Sequence, residues 1–367
     1  MLEHLFYPTP VLTFADLRGD HRAATDLPLF DAPPVVRTFD TPEFDGITFY
    51  EVEAKSILNR VPAASRMPFE WTINVYRGCS HACFYCFARP THNYLNFDAG
   101  RDFETKVVVK VNAAEVLRRE LRRPSWGGAH VAMGTNTDPY QRCEGRYRLT
   151  RGVLEVLRDF ANPCSILTKS PLLLRDLDLF SELVGVGFSA SLSIGTLDEE
   201  VWRRSEPGTP HPKARIAAVK ALVEAGVPCG VLVAPVLPGI SDSPAQLRAV
   251  VDAAAAAGAT HISPITLHLR RGVKEEFMPW LEREYPELVA DYQRIYTGAN
   301  APERVQRRIA ERVHAAKATA TARYGGATAA DPTTPADPME RAANHRGIAP
   351  PPPPGADTPA QLSLRLG

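Results

Sequence analysis

The stretch Tyr76-Arg-Gly-Cys79-Ser-His-Ala-Cys83-Phe-Tyr-Cys86-Phe-Ala-Arg-Pro90 places three cysteines in a C-x3-C-x2-C arrangement. Three thiolates this close together can hold three corners of a cubane iron–sulfur cluster, which is normally held by four cysteines. With three protein ligands, one iron stays open to a small molecule that binds through oxygen and nitrogen and accepts an electron. Zinc is the competing reading, but a zinc site usually takes four N or S ligands, commonly as two separated pairs. His81 and His92 offer imidazoles. However, His81 lies inside the first cysteine loop, where the chain is too short to fold back comfortably. A disulfide would leave one thiol odd, and nothing in the chain points to secretion. The spacing therefore favours iron–sulfur. A redox or iron-sensing module and a zinc-stapled binding protein remain as alternatives.

The whole chain sets wider bounds. Its 367 residues, 44% of them hydrophobic, suffice for one large domain with appendages, and the formal net charge is zero. No strong global field draws such a chain to nucleic acid or to an anionic membrane. The start, Met-Leu-Glu-His-Leu-Phe-Tyr-Pro, lacks a cationic region followed by an apolar run. No apolar stretch is long enough to span a bilayer. A soluble cytoplasmic protein with reduced thiols is the expectation. Residues 1–45 read as a largely irregular N-terminal extension, 46–296 as the core domain, 297–325 as a C-terminal helix and 326–367 as a Pro-rich flexible tail containing Pro350 to Pro354. A solvated tail is favoured over a polyproline ligand. No repeat at a solenoid period is present.

Between about 70 and 296, short β-branched runs alternate with amphipathic stretches. The pattern predicts strands over 71–76, 130–134, 164–168, 187–193, 228–234 and 260–266. Helices are predicted over 113–122, 150–160, 172–184, 212–225, 244–257 and 273–296. Repeated βα units imply a parallel sheet with right-handed crossovers. Six of them make an α/β fold of the open, partial TIM-type (β/α)6 barrel, with N- and C-terminal extensions. Such folds place their chemistry at the carboxyl ends of strands, and the cysteine loop follows the first strand directly. A doubly wound sheet is the runner-up, although neither G-x-x-x-x-G-K-[ST] nor G-x-G-x-x-G occurs.

The other strand ends carry weaker signals. Gly134-Thr-Asn-Thr-Asp-Pro-Tyr-Gln141 offers small hydroxyl and amide groups able to accept from an ammonium, or else a plain turn around Asp138 and Pro139. Lys169 ends the third strand, where a cation can pair with a carboxylate. Ser189, Ser191 and Ser193 alternate along the fourth, so their hydroxyls share one face. They suit a ribose, or tight packing. Glu206, in Arg204-Ser-Glu-Pro-Gly208, can accept from ribose hydroxyls or from Arg203 or Arg204. The proline-bent run Val231 to Gly239 is a wall for adenine or part of the core.

On these residues the chain resembles the radical S-adenosylmethionine (SAM) superfamily, and more narrowly its spore-photoproduct-lyase-like, DNA-repair-photolyase-like branch. The resemblance runs from about Gly46 to Tyr296 and rests on several strings. These are Glu53-Ala-Lys-Ser-Ile-Leu-Asn59, Asn74 to Cys86, Ala88-Arg-Pro-Thr-His92, Gly134 to Tyr140 and Thr168-Lys-Ser170. It implies a [4Fe–4S] cluster on Cys79, Cys83 and Cys86, with SAM on the fourth iron and reductive cleavage to a 5′-deoxyadenosyl radical. It makes Tyr85 an adenine neighbour, Asn136, Thr137 and Asp138 the amine end of the SAM pocket, Lys169 the carboxylate partner and Ser191 or Ser193 the ribose contact. It also implies a cellular electron donor of the flavodoxin or ferredoxin type. Spore photoproduct lyase returns a hydrogen atom from a cysteine beside the second-strand motif, where this chain has Thr135. Cys143 lies eight residues beyond and is the substitute donor if its loop folds over the site. Cys164 and Cys229 read as small core residues.

Arg142, Arg146, Arg148 and Arg151, with Tyr140 and Tyr147, cluster near the second strand's exit, and Arg270 and Arg271 follow the sixth. Such patches can meet the phosphates and bases of nucleic acid. The balanced net charge weakens that reading, and arginines paired with neighbouring carboxylates are favoured.

Overall fold

The β-branched runs pair as their alternation predicts. In the computed structural model, six strands lie parallel and side by side in chain order. They are Trp71–Ile73, Val131–Met133, Cys164–Thr168, Phe188–Ser193, Cys229–Val236 and Ile262–Thr266. Leu58–Arg60 adds an antiparallel edge beside the first of them. The sheet does not close, so the architecture is an open, partial TIM-type barrel. The structure describes residues 21–22, 30, 33–62 and 67–324. The Pro350–Pro354 run, the tail 326–367 and much of the N-terminal stretch lie outside those residues.

Register divides the sheet into two chemically different faces. Ile73, Met133, Ile166, Ala190 and Cys229 form one cross-strand row, each at most 2% exposed, and belong to the main apolar core with the helices. The opposite face carries Thr72, Ala132, Ser165 and Ser189 in one row, then Leu167, Ser191 and Gly230, then Ser193, Leu232 and Ser263. Small and hydroxylated side chains leave this inner face open for something other than a packed hydrocarbon core.

A second sheet differs from the sequence expectation. Val35–Arg37, Thr48–Val52, Lys106–Lys110 and Tyr76–Arg77 join in that order. The predicted single strand 71–76 is therefore two short ones. Asn74 and Val75 carry the chain from the parallel sheet into the second sheet just before Cys79. Within the N-terminal stretch expected to be irregular, Val35–Arg37 is a strand, and Phe39 and Phe44 are buried against Phe49. Aromatic burial outweighs the local proline signal there.

The helices follow the predicted order with several changes, among them the additional short helices Arg101–Thr105 and Glu144–Tyr147. Pro171–Asp176 winds as a 3₁₀ turn before the helix Leu177–Leu183, so the expected helix over 172–184 starts late. The expected helix over 273–296 breaks into Lys274–Glu284 and Val289–Ile295, with Pro286 between them. Proline disfavours helical backbone at the residue before it, and Tyr285 leaves the helix at φ −145°, ψ 61°. Glu199–Ser205 is an additional short helix, capped where Asp198 accepts from Glu200 N and Val201 N at 3.0 Å each. Pro244–Ala256 packs against the last helix, Glu303–Tyr324.

Gly134 closes the second strand at φ +89°, and a Cβ there would sit 1.9 Å from the Leu167 carbonyl oxygen. Both the left-handed backbone and the contact demand glycine. Gly134→Ala is expected to lower stability by about 3 kcal/mol or more, read as a lower urea midpoint at unchanged slope.

Candidate functional site

The cysteine loop leaves the second sheet at Gly78, whose φ of +81° brings a would-be Cβ within 3.0 Å of Phe103 O and Lys106 O. Three groups then hold the loop. The Gly78 carbonyl accepts from Thr137 Oγ1 at 2.7 Å and from Gln141 Nε2 at 3.1 Å. Gln141 Oε1 in turn accepts from Ser80 N at 3.0 Å. Arg89, 1% exposed, donates to Cys83 O at 3.0 Å and reaches Ala99 O, Gly100 O and the Glu104 carboxylate. On the far side, Gly208 approaches so closely that a Cβ would meet Ser80 O at 2.2 Å. Phe84 N donates to Ser205 O, and Gly208 N to His81 O.

Cys79 and Cys83 are each 6% exposed, and Cys86 is the least buried of the three. Burial pushes the Cys79 thiol well up, with the Asp138 and Cys86 charges adding to it. Burial likewise pushes Cys83 up to about 12, against the pull of Lys169. Thiols in this condition become thiolates when a metal of high positive charge replaces their protons. Among the described residues, no three Cys, His, Asp or Glu side chains converge closely enough to hold a single metal ion. Zinc needs such convergence, whereas a cubane takes each cysteine on a different iron. The two histidines are engaged elsewhere: His81 Nδ1 is 3.3 Å from Asp138 Oδ2, and His92 Nε2 is 2.9 Å from Lys106 O. Ser80 Oγ is buried in the loop without a partner. A sulfide-bearing group against it would satisfy that hydroxyl, so the loop's chemistry fits a cluster.

Asp138 proves to be a brace. Its carboxylate accepts from Thr168 Oγ1 at 2.6 Å, Lys169 N at 2.8 Å and Tyr140 N at 2.9 Å, besides facing His81. Burial pushes this carboxyl up. His81, the Thr168 hydroxyl and the Lys169 amide outweigh that and hold it at about 2. Thr137, spent on Gly78, is also structural. Of the three residues expected at an ammonium, only Asn136 keeps an uncommitted carbonyl: its amide nitrogen donates to Thr91 Oγ1 at 3.2 Å.

Glu206 sits beside the cysteines rather than out in a loop. It takes the Tyr85 hydroxyl and the Arg215 guanidinium as partners, with Thr209 Oγ1 at 3.1 Å. Burial opposes its ionisation, but Arg215 and Lys169 hold it down at about 2. Arg203 and Arg204, the alternative partners the sequence offered beside ribose hydroxyls, instead reach Glu199 and Glu200 on their own helix. Lys169 Nζ donates to Ser193 Oγ at 3.0 Å and lies 5.5 Å from the Tyr85 ring centre. Ser193 Oγ donates to Ala234 O at 2.7 Å, and Ser191 Oγ is 3.3 Å from His261 Nε2. Tyr85, Lys169, Ser193 and Glu206 thus form one connected group next to the cysteines.

Cys143 does not join it. The thiol is 1% exposed, packed in the apolar core under a short helix, and burial raises its pKa well above the ordinary thiol value. This enclosure counts against the hydrogen-donor role expected of Cys143. Of the arginine cluster, Arg142 and Arg148 are exposed, while Arg146 and Arg151 are partly buried and paired. Arg146 lies over Phe39 and Phe44 and bonds Thr41 and Glu43, while Arg151 pairs with Asp176 and Asp178. Arg89, Gln141 and Arg215 were missed in the sequence. Arg89 sits in a quoted motif, but its role as a clamp depends on carbonyls brought by folding.

The strand-end position, the three-thiol loop and the inner polar face define a radical SAM domain. The family model of the Radical SAM superfamily matches residues 73–249, and the chain belongs to that superfamily. It is 52% identical over 283 residues to an uncharacterized protein of Mycobacterium tuberculosis, covering 76% of this chain and 83% of that one. An uncharacterized protein of Methanocaldococcus jannaschii is 29% identical over 250 residues, 66% of this chain and 85% of that one. Among solved structures, spore photoproduct lyase complexed with dinucleoside spore photoproduct superimposes with a TM-score of 0.55 at 15% identity. The match covers 76% of this chain and 80% of that one. A mutant of that enzyme with bound AdoMet and dinucleoside spore photoproduct gives 0.54 at 16% identity, over 74% and 77% of the two chains. At such identities the likeness is one of fold. Cluster binding and SAM cleavage are what the family implies. No described helix is long and apolar enough to cross a membrane.

Glu206→Gln is expected to cost about 3–5 kcal/mol, because it leaves Arg215 charged and unpaired in the interior. Both Glu206 and Asp138 ionise far below the unfolded carboxylate range, so their stabilisation is complete above the unfolded pKa of about 4. It is lost as pH falls from there toward about 2. Urea midpoints measured down that range should fall steeply in the wild type and less steeply in Glu206→Gln.

Proposed function

We propose that this protein is a radical SAM enzyme. Its Cys79, Cys83 and Cys86 hold a [4Fe–4S] cluster, and it cleaves SAM reductively while acting on a nucleotide or nucleic-acid substrate. The observation that carries the reading is the buried three-thiol loop, fixed against the carboxyl ends of parallel strands by Asp138, Arg89 and Gly208. When bound, the cluster supplies the electron that divides SAM into methionine and a 5′-deoxyadenosyl radical. The chain's own contribution is placement and exclusion of water.

Lys169 is the partner for the SAM carboxylate, since its ammonium is held by a neutral serine and, among the described residues, has no carboxylate within ion-pair distance. Asn136 Oδ1 is the acceptor for the SAM ammonium. Asp138 and Thr137 position the strand ends and do not touch SAM themselves. Tyr85, its hydroxyl fixed by Glu206, presents a ring to adenine, and Ser193 and Ser191 line the ribose side. Glu206 acts through Tyr85 and not on the ribose. Cys86 and the adjoining Phe87, 48% exposed, mark the side at which a flavodoxin- or ferredoxin-type donor delivers its electron. The nucleotide part of the proposal draws on the fold shared with a spore photoproduct lyase that has a dinucleoside spore photoproduct bound.

Anaerobic reconstitution with iron and sulfide, followed by dithionite and SAM, should yield 5′-deoxyadenosine by mass spectrometry. Cys83→Ala should yield none. Wild-type protein that assembles no cubane cluster, or product formation that survives Cys83→Ala, would overturn the assignment. Lys169→Met should weaken SAM binding about tenfold or more in equilibrium dialysis, with the cluster's visible absorption retained.

A further inference from the structure

Two cations on the second sheet are left over from the site described above. Arg77 pairs with Val108 across the antiparallel strands Tyr76–Arg77 and Lys106–Lys110, so the two side chains share a face. Lys110, two residues beyond Val108, emerges on the same face. Such diagonal neighbours sit about 7–8 Å apart, within reach of long side chains. Lys110 is 5% exposed and Arg77 half-buried. Among the described residues neither head group has a hydrogen-bond acceptor or a carboxylate within ion-pair distance.

Like charges placed side by side away from water are unfavourable unless an anion joins them. The carboxylate felt by Lys110 is Glu120. Its oxygens are already taken by Ser56 Oγ at 2.6 Å, Ile57 N at 3.1 Å and Leu58 N at 3.0 Å. Burial, and then Arg77, holds the Lys110 ammonium down at about 7, against the pull of Glu120. Tyr94 lies within electrostatic reach of Arg77 and is 59% exposed. It borders a groove of about 500 Å³ shared with Pro90, Asn93, Arg271 and Glu275. Gly78 alone separates Arg77 from Cys79 in the chain.

We infer that Arg77 and Lys110 bind a phosphoryl group of the substrate. A guanidinium fork together with a point-charge ammonium matches a multiply charged oxyanion better than a single carboxylate. Tyr94 stands at the edge, where an attached ring can lie against it. The inference rests on the radical SAM reading only for calling the occupant a substrate. Anion binding itself is measurable without SAM cleavage.

The test is thermal unfolding of the cluster-reconstituted protein with inorganic phosphate, against acetate and chloride at matched ionic strength. Phosphate should raise Tm by about 3 °C or more at saturating concentration, and acetate and chloride should not. Lys110→Met and Arg77→Gln should each abolish the rise, while the exposed-pair control Lys220→Met keeps it. Lys110→Met should melt no lower than the wild type in phosphate-free buffer, which separates lost binding from lost folding. A rise that is absent, that acetate reproduces, that persists in both variants or that SAM competes away would overturn the inference. Deoxyadenosine formation by the wild type reports on the radical SAM reading independently of each of these outcomes.

Discussion

The Asp138 carboxylate is the point on which the site's geometry depends. It follows the second parallel strand, accepts from the backbone and hydroxyl at the end of the third, and faces His81 inside the cysteine loop. Three separate segments are thereby fixed by one side chain. A buried carboxylate is tolerated only when its lone pairs are taken up, and here they are. This arrangement explains why a residue that reads as a cofactor contact serves as a brace.

Glu206 performs the parallel task on the other side of the loop. Its helix, Glu199–Ser205, delivers Ser205, Glu206 and Gly208 to the cysteines, and Arg215 neutralises the carboxylate that fixes Tyr85. The cysteine loop therefore lies between two buried ionic centres, one at strands two and three and one beyond strand four. Both stay charged through ordinary pH, so the loop holds its shape across that range. Between them Lys169, Ser193 and Asn136 keep donors and acceptors available on the inner face.

Much of this was legible in the chain. The period-two runs ending at Thr168 and Ser193 located strands closely, because fully buried parallel strands are uninterrupted β-branched and small residues. The three-cysteine loop and its place after the first strand were equally plain. What escaped was the second sheet, because its partners Thr48–Val52 and Lys106–Lys110 lie far apart in the chain and no local pattern announces their pairing. The corner at Asn74 and Val75 was hidden for the same reason. Cys143 looked like a loop thiol because four charged neighbours surround it, yet aromatic and aliphatic packing draws it into the core.

The amino-acid sequence alone determined the class of fold, the three closely spaced thiols and the strand ends that surround them, since these follow from local periodicity and close spacing. Tertiary structure decided which of the candidate polar groups remain available. Asp138, Thr137 and Glu206 are consumed by partners remote in sequence, whereas Lys169 and Asn136 are only partly engaged, by Ser193 and Thr91. Tertiary structure also set Arg77 and Lys110 on one face of the second sheet. Residue type fixes what a side chain can bond, but only the folded neighbourhood settles whether those bonds are already made.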